Sequence, residues 1–227
     1  MSINKNTMIV SIEGNIGSGK STLLHILREK YKTSKKIIFL KEPVDEWELI
    51  KDKNGKTMIQ KFYENQEKYS FPFQMMAYVS RLNLLKQAVK DNPECIIISE
   101  RSLYTDKMVF AKMLYDSGKM EDVNYQIYCN WFNSFINNEL MVDKVIYVST
   151  DPSICHERIH TRSRAGENNI PLDYLRECHK YHNAMLDKTS SECVCNNQLV
   201  LNGNINIYSN TGHLDSILMD IDNFISS

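Results

Sequence analysis

Nine consecutive residues, Gly14, Asn15, Ile16, Gly17, Ser18, Gly19, Lys20, Ser21 and Thr22, carry the densest chemistry in this 227-residue chain. The first eight match G-x-x-x-x-G-K-[ST], the pattern of a loop that cradles phosphates. Glycines let the backbone curl so that successive N–H groups point inward, and a helix starting at the end of the loop adds partial positive charge where phosphates would lie. The Lys20 ammonium would reach the β- and γ-phosphates. The Ser21 hydroxyl suits Mg²⁺, a hard cation that binds through few protein groups plus the phosphates. Further along, Glu42, the pair Glu100-Arg101 and Asp151 end apolar runs, and Arg158, Arg162 and Arg164 recur in a polar stretch. Carboxylates and guanidinium groups beside a phosphate loop point to phosphoryl transfer, which needs charge neutralisation and an oriented nucleophile more than a covalent group.

These residues need a frame. Apolar runs at Met8–Ile12, Lys36–Lys41, Cys95–Ser99, Lys144–Val148 and Gln198–Leu201 read as strands, and the third is apolar enough to be a central parallel strand covered on both faces. Helical spacing follows the loop and recurs at Thr57 to Lys68, from Ser70 as a cap to Lys90, Leu103 to Ser117, Glu121 to Glu139, after Asp151-Pro152, and at Leu214 to Ile225. Alternating strands and helices over residues 1–227 predict one α/β domain with a doubly wound sheet. In such a sheet ligands bind outside the carboxyl ends of the strands, where Gly14, Glu42, Glu100-Arg101 and Asp151 fall. The segment from about 158 to 170 reads as an arginine-rich lid.

A net charge of −1 offers no general field for nucleic acid or an anionic membrane. Met1 to Thr7 has no apolar signal core, and no run is long enough to span a bilayer, so the expectation is a cytoplasmic protein with neither partner. Six scattered cysteines lack the paired spacings of a zinc site. Cys155, His156 and His160 cluster on a predicted helix, as do Cys178, His179 and His182, but neighbouring arginines disfavour a cation there.

With these residues in place, the chain resembles the deoxynucleoside kinases, the group containing deoxycytidine and deoxyguanosine kinases. The resemblance runs through Gly14 to Thr22, Glu42-Pro43-Val44 with Trp47, Tyr63, Phe73-Gln74 with Arg81, Glu100-Arg101-Ser102 with Asp106 and Phe110, and the arginine segment ending in Glu167 and Ile170-Pro171-Leu172. It covers about residues 8–186. It implies a P-loop NTPase-like five-stranded parallel sheet flanked by helices, a homodimer packed through helices, and transfer of the γ-phosphate of ATP or another nucleoside triphosphate to a deoxynucleoside 5′-hydroxyl.

By this resemblance Glu42 is the general base, Arg101 holds it in line, and Glu100 is a Mg²⁺ ligand through water. Trp47, Phe73 and Phe110 wall the base, Tyr63 and Glu167 bind the 3′-hydroxyl, Arg158, Arg162 and Arg164 follow the phosphates, and Arg162 is the cis arginine finger. The turn Asn202 to Ile207 lacks the acidic and aromatic residues the family often places near the donor base, so no donor preference follows. Gln74, Ala77 and Arg81 share one helix face and, with Asp106 as counter-charge to Arg81, should line one pocket end. Asp106 would accept from an exocyclic amine while Arg81 fills the space of a thymine methyl, which favours deoxycytidine and purine deoxynucleosides over thymidine. A nucleoside monophosphate kinase, such as one acting on thymidylate, is the enzymatic alternative, although Glu42 would repel an incoming phosphate. A nucleotide-dependent switch module is the non-enzymatic one.

Overall fold

The computed structural model describes residues 7–162, 170–208 and 211–227. Five parallel strands form one sheet in the order β2-β3-β1-β4-β5, with β1 Met8–Glu13, β2 Ile37–Leu40, β3 Ile96–Glu100, β4 Lys144–Ser149 and β5 Gln198–Asn202. The register pairs Val10 with Ile98 on one side and with Lys144 on the other. Alternate residues of the central strands feed two cores. Ile9, Ile97, Val145 and Tyr147 pack beneath α4 (Gln66–Asp91), α7 (Asp122–Phe135) and α9 (Leu172–Met185). Val10, Ile12, Ile98, Ile146 and Val148 pack against α1 (Lys20–Lys30) and α10 (Thr211–Ser226). Strands covered on both faces explain their nearly unbroken apolar sequences.

The chain order reverses at β1, with β3 and β2 on one side and β4 and β5 on the other. This crevice at the strand carboxyl ends is where a doubly wound sheet takes its ligand. Pro43 opens a short helix, α2 (Val44–Trp47), because a proline at a helix start loses no needed hydrogen bond. A capping box of Thr57 and Gln60 starts α3 (Met58–Glu64).

The next helix begins earlier than Ser70. Asn65 is the cap, its side chain accepting from the Lys68 N–H at 3.1 Å, and Pro72 lies inside α4. After β3 the chain forms α5 (Leu103–Thr105), a π-helical stretch (Asp106–Ala111) and α6 (Lys112–Asp116) rather than one α-helix. The helix expected to reach Glu139 stops at Phe135, followed by a 3₁₀ turn at Asn138–Leu140. The arginine segment starts on α8 (Pro152–Arg162); Arg164 and Glu167 lie outside the described residues. No helix among the described residues is long and apolar enough to cross a membrane.

Candidate active site

The loop after β1 is held in a backbone shape that side chains would obstruct. Gly17 has φ +79°, and a Cβ there would stand 2.5 Å from the Cys155 carbonyl oxygen. Gly19, at φ +104°, occupies the N-cap of α1. Asn15 acts through its side chain as a tie, donating to the Leu175 carbonyl at 2.8 Å and accepting from the Ile16 N–H at 2.8 Å, so the loop is fixed to α9. Arg158 Nη1 donates to the carbonyls of Ser18 at 3.3 Å and Gly203 at 2.8 Å, joining α8 to the loop and to the turn after β5. Lys20 is buried, and its Nζ donates to the Asn15 carbonyl at 2.6 Å. Burial, and then the Arg101 charge, push its ammonium down to about 7. A buried ammonium with a penalised charge is prepared for an anion.

The carboxyl ends of β2 and β3 are neighbours in the sheet, and this brings Glu42 to Arg101. Arg101 has φ +63°, a left-handed conformation costly for a side chain of this size. Its N–H bonds to the Ile12 carbonyl at 3.0 Å, and the next N–H, of Ser102, donates to buried Glu13 at 2.9 Å. These bonds hold the kink. Arg101 Nη1 then donates to both Glu42 oxygens, at 2.8 and 2.9 Å. Burial alone would raise the Glu42 carboxyl, but Arg101 and Arg81 outweigh it and hold the group well below the usual carboxylate range.

Arg81 is engaged at every nitrogen: Nε with Asp106 at 2.9 Å, Nη1 with the Glu100 carbonyl at 2.8 Å, and Nη2 with Glu42 at 2.9 Å. Its partners therefore include Glu42 as well as Asp106, a link no helical spacing discloses. Burial pushes the Asp106 carboxyl up and Arg81 works against it; the 2.9 Å contact is that of an ion pair.

These groups open on one cavity of about 600 Å³ that runs from the phosphate loop to the aromatic residues. Phe73 stacks on Phe62 at 4.5 Å and meets Trp47 edge-on at 5.9 Å, while the Trp47 indole N–H donates to Ser80 Oγ at 2.8 Å. Phe110 lies under the Arg101 guanidinium at 5.2 Å. Tyr63, Gln74, Ala77, Arg81, Asp106 and Arg162 also line the space. Two buried polar atoms there, Gln74 Oε1 and Arg101 Nε, have no hydrogen-bond partner among the described residues. Orphaned groups of this kind in a cavity call for a polar ligand.

Ser21 Oγ donates to Glu100 Oε1 at 2.5 Å, an oxygen pair at the foot of the loop whose donor chemistry fits a hard cation. Asp151 does not face the cavity; its carboxylate accepts from Asn204 Nδ2 at 3.0 Å and steadies the turn after β5. Phe62, Tyr174 and Tyr208 also line the cavity, and the spacing of chemical groups gives no sign of them. Tyr208 directly follows the turn Asn202 to Ile207 and brings an aromatic ring to that end of the cavity. Of Cys178, His179 and His182, Cys178 and His182 are core: His182 is buried against Tyr147, and burial pushes its imidazole down to about 3, while His179 is only half-buried.

The deoxynucleoside kinase family model matches residues 10–226. The chain belongs to the deoxynucleoside kinase family. It is 32% identical over 221 residues to a probable deoxycytidine kinase of fowlpox virus, covering 96% of this chain and 88% of that one. It is 36% identical over 197 residues to human deoxycytidine kinase, covering 78% and 74%. A mitochondrial deoxyguanosine kinase of Xenopus laevis is 29% identical over 211 residues, covering 85% and 78%. This member of the family is thus a nucleoside kinase with a nucleotide phosphate donor, on a five-stranded parallel sheet.

Proposed function

We propose that this kinase transfers the γ-phosphate of ATP or another nucleoside triphosphate to the 5′-hydroxyl of deoxycytidine and purine deoxynucleosides, with thymidine a poor substrate. The observation that carries the reading is the Glu42 carboxylate, held by Arg101 and Arg81 in the same cavity as the phosphate loop. A carboxylate kept ionised accepts the hydroxyl proton, and the two guanidinium groups fix its direction. Lys20 and Arg158 meet the donor phosphates, and Arg162, at the cavity end of α8, adds positive charge where it develops on the transferring group. Ser21 and Glu100 would hold Mg²⁺, with Glu100 acting through water; the ion, when bound, neutralises phosphate charge.

Base choice rests on the far end of the cavity. The Asp106 Oδ1 contact with Arg81 is long, 3.4 Å, which leaves that oxygen free lone pairs for an exocyclic amine. Arg81, held on every side, fills volume that a 5-methyl group would need. Named relatives that are deoxycytidine and deoxyguanosine kinases support the same choice.

A homodimer is supported by α7, which exposes Val123, Ile127, Trp131 and Phe135 at successive turns. We assign the whole chain to one cytoplasmic kinase domain. The test is a labelled phosphate-transfer panel of four deoxynucleosides and their monophosphates with several donors. Transfer to deoxycytidine and the purine deoxynucleosides is expected; efficient transfer to thymidine overturns the base assignment, and transfer to monophosphates alone overturns the acceptor class.

A further inference from the structure

The outer flank of α8 carries chemistry that the kinase reaction does not use. His156 and His160 are one turn apart, and their Nε2 atoms stand 3.1 Å from each other with the rings at 81°. Two imidazole nitrogens at that separation, each about 2.0–2.1 Å from a shared ion, close an N–metal–N angle of about 100°. That value lies between the angles of square-planar and tetrahedral sites. The helix presenting them is firmly seated: Cys155 and Ile159 are buried beneath it, and Arg158 ties it to the phosphate loop and to Gly203. Arg158 and Arg162 line the cavity, whereas His156 is half-buried and His160 exposed, outside the cavity lining.

We propose that His156 and His160 form a two-histidine chelate for a divalent transition metal ion such as Zn²⁺ or Ni²⁺, with water completing the coordination. Among the described residues no group of three or more His, Cys, Asp or Glu is placed to hold a metal, so the two imidazoles are the ligands the chelate rests on. Imidazole suits zinc and nickel and is a poor ligand for Mg²⁺, so the two metals sort by ligand type. The ion replaces the hydrogen bond between the two rings. It braces the turn that carries Arg158 and leads to Arg162.

The experiment is a Zn²⁺ titration by calorimetry of the full chain in excess Mg²⁺, on wild type, His156→Gln and His160→Gln. Circular dichroism and ATP binding check the fold. Wild type should bind Zn²⁺, and each variant should lose at least about tenfold in affinity. No zinc uptake, or equal affinity in all three proteins, overturns the proposal; the latter outcome would put the metal on cysteines. A second measurement needs no variant: paramagnetic Ni²⁺ should broaden the imidazole proton resonances of two histidines before any others, and uniform broadening of all six would also overturn it.

Discussion

Arg101 Nη1 donates to both oxygens of Glu42, at 2.8 and 2.9 Å, so the carboxylate that faces the phosphate loop is held in one orientation. Changing Glu42 to Gln keeps the volume and one acceptor but removes the proton acceptor. Turnover should fall by about 10²- to 10⁴-fold, while deoxynucleoside affinity stays close to wild type. Steady-state kinetics with equilibrium binding separates the two, and a near wild-type kcat would end the assignment of Glu42 as base.

Arg162 closes α8 at the cavity. Arg162→Ala should lower kcat far more than it weakens ATP binding in the ground state, by up to about 10³- to 10⁵-fold, since the guanidinium acts on charge that develops during transfer. Single-turnover rates alongside ATP affinity test this. A change confined to KM would make Arg162 an ordinary binding residue.

The Arg81–Asp106 pair should set base choice. Arg81→Met with Asp106→Ala removes both charges and should raise kcat/KM for thymidine relative to deoxycytidine. Asp106→Ala alone leaves Arg81 its bonds to Glu42 and the Glu100 carbonyl. Its stability cost should therefore fall at or below the lower end of the roughly 3–5 kcal/mol typical of a broken buried pair. Denaturant melts and a four-substrate panel measure both, and unchanged thymidine use in the double variant would remove this pair from specificity.

Lys20 predicts a pH effect. Its ammonium is lowered to about 7 in the free protein, so it is mostly neutral at pH 8. Phosphate oxygens beside it favour the charged form, so nucleotide binding at pH 8 should take up protons, approaching about one per site. Calorimetry in buffers of different ionisation enthalpy reads this uptake, which Lys20→Met should abolish. The same shift makes the unfolded chain bind more protons between pH 7 and the ordinary lysine range, so this group's contribution to stability rises with pH across that window.

The fold was largely legible because its signals are local. Unbroken apolar runs between turn residues mark parallel strands, and the glycine pattern before Lys20 marks the loop. Boundaries slipped where two local signals competed. Ser70 and Pro72 read as a helix start, yet Asn65 caps earlier, its side chain accepting from the Lys68 N–H, and Ser70 is a buried position inside α4 rather than its cap. The π-helical stretch at Asp106–Ala111 has no sequence period of its own.

The sequence by itself determined which groups reach the carboxyl edge of the sheet: the phosphate loop after β1, Glu42 after β2 and Glu100-Arg101 at the end of β3. Only the tertiary structure decided which of them touch. The strand order makes β2 and β3 neighbours, the left-handed kink at Arg101 turns its side chain onto Glu42, and the packing of α4 against that corner brings Arg81 between Glu42 and Asp106. Residue spacing encodes the face of a helix or strand. It carries no information about contacts between elements far apart in the chain, which arise only once strand order and the packing of helices on the sheet are set.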